Sequence, residues 1–172
     1  MEINREYRLK NISKSFDKLK LMEDFSISFP ENKINCILGP SGCGKTTILN
    51  IISGLISPEK GDTSDFEKAE LSYVFQEPRL LPWKTVQENI EFPLKDSFSK
   101  DKRVVIAKKY LRMVELDEFK DYYPHALSGG MKQRAALARA FAFPSKIILM
   151  DEPFKALDLK LKNRLTQHFL TL

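Results

Sequence analysis

The sequence predicts an α/β fold, with a strand-and-helix core into which a helical subdomain is inserted. Three observations carry the prediction. An apolar run, Lys33–Leu38, stops at a glycine-rich turn that opens a helix. Helical periodicity then dominates from Thr85 to Pro144. Finally the continuous apolar run Lys146–Met150 ends in acid at Asp151, the pattern of a strand in a parallel sheet covered by helices.

A chain of 172 residues can bury a sizeable core, and 42% hydrophobic with 30% charged residues excludes disorder or a fibrous repeat as the main reading. The net charge of +5 is mild and scattered, so it does not argue for a nucleic-acid partner. No apolar run approaches the roughly 20 residues of a membrane-spanning helix. The opening Met1–Glu6 is too charged for a secretory signal. Cys36 and Cys43 form neither a disulfide framework nor a zinc pattern, which suits a reducing cytosol.

Residues 7–38 read as short strands separated by turns, the last being Lys33–Leu38. Thr46–Ser53 carries Ile48, Leu49, Ile51 and Ile52 at helix-compatible positions, and Gly54 stands where a helix-ending glycine belongs. Leu71–Phe75 is a second apolar strand. Thr85 and Glu88 match a capping box. Residues 103–116 place Val104, Ala107, Leu111 and Val114 on one stripe, with Lys108, Lys109 and Arg112 outside it. Leu137, Ala138 and Phe141 continue a helical pattern that Pro144 ends.

Gly39-Pro40-Ser41-Gly42-Cys43-Gly44-Lys45-Thr46 fits the phosphate-binding pattern G-x-x-x-x-G-K-[ST] without a mismatch. Glycines let the backbone curl so that successive N–H groups point inward, and the following helix presents its positive end to the same point. Polyphosphate requires that density of donors. Lys45 is expected to reach the β- and γ-phosphates, with the Thr46 hydroxyl on Mg²⁺. Cys43 is either a thiol activated by the helix terminus or a small side chain at a variable position.

Asp151 and Glu152 follow the last apolar strand. The first carboxylate suits a Mg²⁺ ligand acting through water, and the second can polarise an attacking water. Ser128 is placed to cap the helix running to Ala142, and Gly129 and Gly130 leave its amide end sterically open.

Taken together and in this order, the three motifs resemble those of the nucleotide-binding subunits of ATP-binding cassette (ABC) transporters, over about Tyr7 to Leu172. The resemblance makes Gly39–Thr46 the Walker A motif, Leu127–Gln133 the signature and Ile147–Glu152 the Walker B motif. It implies a P-loop NTPase core of RecA-like type at 1–84 and 145–172, with the helical subdomain at 85–144. It also implies ATP held by Gly39, Pro40, Ser41, Gly42, Cys43, Gly44, Lys45, Thr46 and Thr47, with Phe16 stacked on adenine. Mg²⁺ would lie on Thr46, Gln76 and Asp151. Gln76 and Glu152 would serve hydrolysis, and Ser128, Gly129 and Gly130 would close over the nucleotide of a second copy. Ala156-Leu157-Asp158 matches the D-loop, although Lys155 stands where the family usually has a small residue. The partners implied are a second nucleotide-binding subunit, a transmembrane permease and, indirectly, a periplasmic or lipoprotein solute-binding protein, with the subunit peripheral on the cytoplasmic face of the membrane.

Phe75–Trp83 is similar to the corresponding stretch of importers of nitrate, sulfonates and taurine. Leu80, Leu81 and Trp83 either form a small internal core or border the groove that receives the permease's coupling helix, and the resemblance favours the groove. The family also has a switch histidine beyond the Walker B glutamate. His125 precedes the signature, and His168 lies only 16 residues past Glu152 in a stretch that reads as helix. The expectation is therefore a chain lacking the last core strands and that histidine, with a β-hairpin trimmed between Lys45 and Gln76. Two alternatives stay open: a truncated module that binds ATP without hydrolysing it, and a non-transport ABC ATPase. The 81 residues between Thr46 and Ser128, which hold neither heptads nor Cys pairs, count against the repair and chromosome types.

Overall fold

A computed structural model of the chain describes residues 6–67, 69–155 and 159–169. These fall into two compact units that divide after Glu70.

The first unit is built on an antiparallel hairpin of β1 (Glu6–Phe16) and β2 (Leu19–Pro30). Asp17, in the tight connection, takes φ 52°, a left-handed conformation that short polar side chains tolerate. A short β3 (Lys60–Asp62) pairs antiparallel on the other side of β1, giving the order β2–β1–β3. Gly61 is forced by this pairing. Its φ is +108°, and a Cβ there would meet the Lys10 carbonyl oxygen at 2.6 Å. Leu9 and Ile12 are buried on β1, and Tyr7 stacks on the buried Phe66 of α2 (Ser64–Glu67) at 5.4 Å. Helix α1 (Lys45–Ile52) buries Ile48, Ile51 and Ile52, and Gly54 follows it at φ +72°.

One expected strand is not formed. Lys33–Leu38 carries no ladder, and Ile34 and Leu38 are 66% and 90% exposed. An apolar run becomes a strand only when a neighbour takes its backbone N–H and C=O groups, and no described strand does so here.

The second unit begins with β4 (Leu71–Val74), which pairs in parallel with β5 (Ile147–Met150) from Leu71↔Ile147 to Val74↔Met150. The parallel pairing is as the apolar run predicts, but burial on both faces is not reached. Leu149 is buried, while Ile147, Ile148 and Met150 are half-buried in a sheet of two described strands. Between the strands run α3 (Val86–Glu91), α4 (Lys100–Met113) and α5 (Gly129–Ala142); α6 (Leu159–Phe169) follows them.

The capping box is present in full at α3. Thr85 Oγ1 accepts from the Glu88 N–H at 3.2 Å, and Glu88 Oε2 accepts from the Thr85 N–H at 2.8 Å. On α4 the stripe falls as its spacing predicts: Ala107 and Leu111 are buried with Val114 just beyond them, Val104 is half-buried, and Lys108, Lys109 and Arg112 are exposed. This face packs into one core with Val86 and Ile90 of α3, Leu137 of α5 and Leu165 of α6.

A buried polar residue pins the loop that enters α3. Asn89 is fully buried; its Oδ1 accepts from the Leu81 N–H at 2.7 Å, and its Nδ2 donates to the carbonyls of Leu81, Lys84 and Thr85. Truncating it would take these bonds from the Leu81 N–H and the Lys84 carbonyl, while the Leu81 and Thr85 carbonyls keep the N–H groups of Lys84 and residue 89. Asn89→Ala is expected to cost about 2–4 kcal/mol, read as a lowered urea midpoint with an unchanged slope.

Candidate nucleotide-binding site

Within the first unit, the turn Gly39–Thr46 has the backbone a polyphosphate cradle needs. Gly42 and Gly44 take φ +80° and +98°, values that L side chains rarely adopt, and Gly44 is the N-cap of α1 with no side-chain cap. The first amides of α1 therefore keep no intrahelical partner and form a positive terminus at the turn. The turn is narrow: a Cβ on Gly39 would meet Cys43 Sγ at 2.7 Å. Lys45 folds back over it, donating to the carbonyls of Gly39 (2.9 Å) and Pro40 (2.7 Å), with Cys43 Sγ 3.8 Å away. An anion on the turn would accept those same ammonium hydrogens with charge assistance on both sides. Ser41 and Thr46 are exposed, and Thr47 is half-buried. Phe16, at the end of β1, is 44% exposed with Lys14 Nζ 5.4 Å from its ring centre, so it is not a core residue.

In the second unit, the parallel register does the assembling. Val74 pairs with Met150, so the residues two beyond each strand end, Gln76 and Glu152, emerge at the same edge. Gln76 Nε2 donates to Glu152 Oε2 at 3.3 Å. An antiparallel pair would have placed them at opposite ends. The Asp151 N–H extends the ladder to the Val74 carbonyl at 2.9 Å, which leaves the Asp151 carboxyl buried at the strand tip. Burial first, and then the Asp151 charge, pushes the nearby Tyr73 hydroxyl up to about 12 against a smaller lowering by Arg79. Glu152 itself turns at φ 46°. Behind it, the buried Gln133 of α5 donates to the Pro153 carbonyl at 3.5 Å.

Ser128 caps α5 as its position predicts, its Oγ accepting from the Met131 N–H at 3.3 Å. The amides of Gly129 and Gly130 belong to the first turn and have no intrahelical partner. A Cβ on Gly129 would meet nothing within 4 Å, so that terminus is open.

Three features were not found by motif reading. Lys155 Nζ forms an ion pair with Glu152 Oε2 at 3.0 Å, so the lysine that departs from the family pattern touches the candidate catalytic carboxylate. Its spacing of three from Glu152 in an acid-base pair was the available signal. Arg139 grips the carbonyls of Pro78 and Arg79, and Asn89 those of Leu81 to Thr85. Neither carries a local pattern. Trp83 is 70% exposed, so the internal-core alternative fails for it; Leu81 lines an apolar cavity of about 340 Å³ with Tyr73, Phe75, Phe92 and Phe143. Ala156, Leu157 and Asp158 lie outside the described residues. His168 falls within α6, in keeping with a helical rather than strand-end position.

The donor set suits Mg²⁺ and a nucleotide. Among the described residues no cluster of three or more His, Cys, Asp or Glu side chains could cage a metal by itself. Mg²⁺ does not need one: it keeps waters and takes few protein oxygens beside substrate phosphates, and the Thr46 hydroxyl in the first unit and the Asp151 carboxyl in the second are each of a type it accepts.

The fold and these motifs define an α/β P-loop nucleotide-binding cassette with an inserted helical subdomain. The family model described as ABC transporter matches residues 22–155, and the chain belongs to that family. It is 41% identical over 174 residues to an uncharacterized ABC transporter ATP-binding protein of Methanocaldococcus jannaschii, covering 95% of this chain and 65% of that protein. It is 39% identical over 170 residues to a probable sulfate/thiosulfate import ATP-binding protein of Chlorella vulgaris, covering 91% of this chain and 71% of that one. Among solved structures, the ATP-binding cassette MJ0796, in a dimeric post-hydrolysis state bound to ADP and Pi, matches with a TM-score of 0.86 at 34% identity, over 94% of this chain and 80% of that one.

Lys45→Met is expected to lower ATP affinity about 10-fold or more, from the loss of a hydrogen bond to a charged group worth about 1.5–3 kcal/mol, and to leave AMP affinity nearly unchanged. Calorimetric titration with both nucleotides checks it.

Proposed function

We propose that the chain is the ATP-binding and ATP-hydrolysing subunit that energises an ABC importer. The observation that carries the reading is the Gln76–Glu152 contact at the shared end of β4 and β5, in a chain that also holds a complete phosphate turn. ATP binds on Gly39, Pro40, Ser41, Gly42, Cys43, Gly44, Lys45, Thr46 and Thr47, with Phe16 on the adenine. Thr46, Gln76 and Asp151 are the residues that would hold Mg²⁺, which would supply charge neutralisation to the phosphates. Glu152 polarises the water that attacks the γ-phosphorus and takes its proton as the bond to ADP breaks. Gln76 holds that carboxylate and water in line.

The signature completes the arrangement. Ser128, Gly129 and Gly130 of a second copy close over the γ-phosphate, because their open helix terminus is an anion site built on a different element from the phosphate turn. Asp158 joins this contact. Two copies thus bury two nucleotides head-to-tail, and hydrolysis lets them part. We further propose the division into a core at 1–84 and 145–172 and a helical subdomain at 85–144, the latter facing a permease. The exposed Trp83 and the cavity beside Leu81, in the stretch that leads into α3, support a docking surface next to that subdomain. No helix among the described residues is long and apolar enough to cross a membrane, which is compatible with a peripheral subunit carried on the cytoplasmic face by its permease. The solute proposed is a small anion of the nitrate, sulfonate or taurine kind, delivered by a solute-binding protein, and the likeness of Phe75–Trp83 to importers of that group is what supports it.

Glu152→Gln, made in an intact-length version, is expected to slow ATP turnover by about 10²-fold or more with ATP affinity retained. Steady-state phosphate release beside equilibrium ATP binding measures both. Unchanged turnover would remove Glu152 from its role.

A further inference from the structure

The loop that carries Gln76 away from β4 is tied to the signature helix by one side chain. Arg139 stands in the last turn of α5, where an arginine would ordinarily serve its own helix's free carbonyls. It does not. Its Nη1 donates to the Arg79 carbonyl at 2.9 Å and its Nη2 to the Pro78 carbonyl at 3.0 Å, across sixty residues of sequence. Among the described residues it makes no ion pair with a carboxylate, and burial pushes its guanidinium below the ordinary arginine value. A partly desolvated cation whose compensation is two neighbouring carbonyls fixes both of them, since either one moving away leaves the charge undercompensated.

The grip falls where the loop turns. Arg79 takes φ 43°, and its guanidinium lies 4.1 Å over the Phe75 ring, which stacks on Tyr73 of β4 at 4.0 Å. Asn89 holds the next stretch, from Leu81 to Thr85. Gln76 and Glu77 are thus spanned between the end of β4 and carbonyls held from α5. The other end of that same helix carries Ser128 and the two glycines, and Gln133 on it holds Pro153 beside Glu152. We infer that Arg139 is a positioning residue of the hydrolytic site, holding the Gln76 amide against Glu152 and making the Gln76 loop follow the signature helix.

The inference rests on the reading that Gln76 and Glu152 serve hydrolysis, and a double-mutant cycle separates the two. In an intact-length version, Arg139→Met is expected to lower kcat about 10- to 100-fold, the cost of a displaced group, with the ATP dissociation constant changed less than about two-fold. Added to Gln76→Ala, it should lower kcat by less than about a further two-fold, because both changes remove the same contact. Amides of 76–82 should exchange hydrogen faster in Arg139→Met before any nucleotide is added. Arg139→Lys, which keeps the charge but not the fork, should fall between, and it carries the same cycle should the methionine variant fold poorly. Losses that multiply, or unchanged exchange across 76–82, would overturn the role of Arg139 alone. A Gln76→Ala variant with full turnover would instead overturn the reading of the site, and this inference with it.

Discussion

Polyphosphate is dense negative charge, and a chain can meet it only with many donors aimed at one point, which side chains are too bulky to supply. Backbone N–H groups at helix beginnings are the compact alternative, and two helices of this chain begin that way. At α1 the glycines at 42 and 44 accept left-handed angles so that the turn can curl under the helix, with Lys45 adding a full charge. At α5 Ser128 satisfies one amide, and at Gly129 even an added Cβ would meet nothing within 4 Å. Within the second unit a separate device brings a glutamine and a carboxylate together.

The parallel pairing of β4 and β5 is the device for doing so. Gln76 and Glu152 are far apart in sequence, yet matched register and direction put both two residues beyond paired strand ends. No side-chain design is needed for this, only two strands running the same way, and ligands gather at carboxyl ends of parallel strands for the same reason. The elements around the pair then limit its freedom. Gln133 holds Pro153 from α5, Asn89 holds the entry to α3, and Lys155 takes the same Glu152 oxygen that Gln76 does. As an exposed ion pair, the last contributes little stability, so its weight falls on the position of the carboxylate.

Local patterns were legible in the sequence because their causes are local. The Thr85–Glu88 box, the Ser128 cap, the α4 stripe and the glycine turn each involve residues a few positions apart, and each forms as its spacing predicts. The parallel direction of β5 was legible too, since a continuous apolar run ending in acid has few other uses. What sequence reasoning missed depends on partners distant in the chain. Lys33–Leu38 has strand composition, but no described strand pairs with it, and most of it stays exposed. Arg139 and Asn89 read as an ordinary helix cation and an ordinary polar residue; their importance comes from carbonyls that the fold delivers to them. Lys155 is the exception, a local partner three residues from Glu152 that was read only as a departure from the family pattern.

In the proposed head-to-tail pair, the serine-glycine tip of α5 in one copy covers the triphosphate on the turn of another. Sedimentation velocity on an intact-length Glu152→Gln version, with ATP, with ADP and without nucleotide, tests it most directly. The pairing requires ATP to drive the slowly hydrolysing protein into dimers, and requires ADP and the nucleotide-free state to leave single copies. A distribution that ATP does not shift, or one that ADP shifts equally, would contradict it.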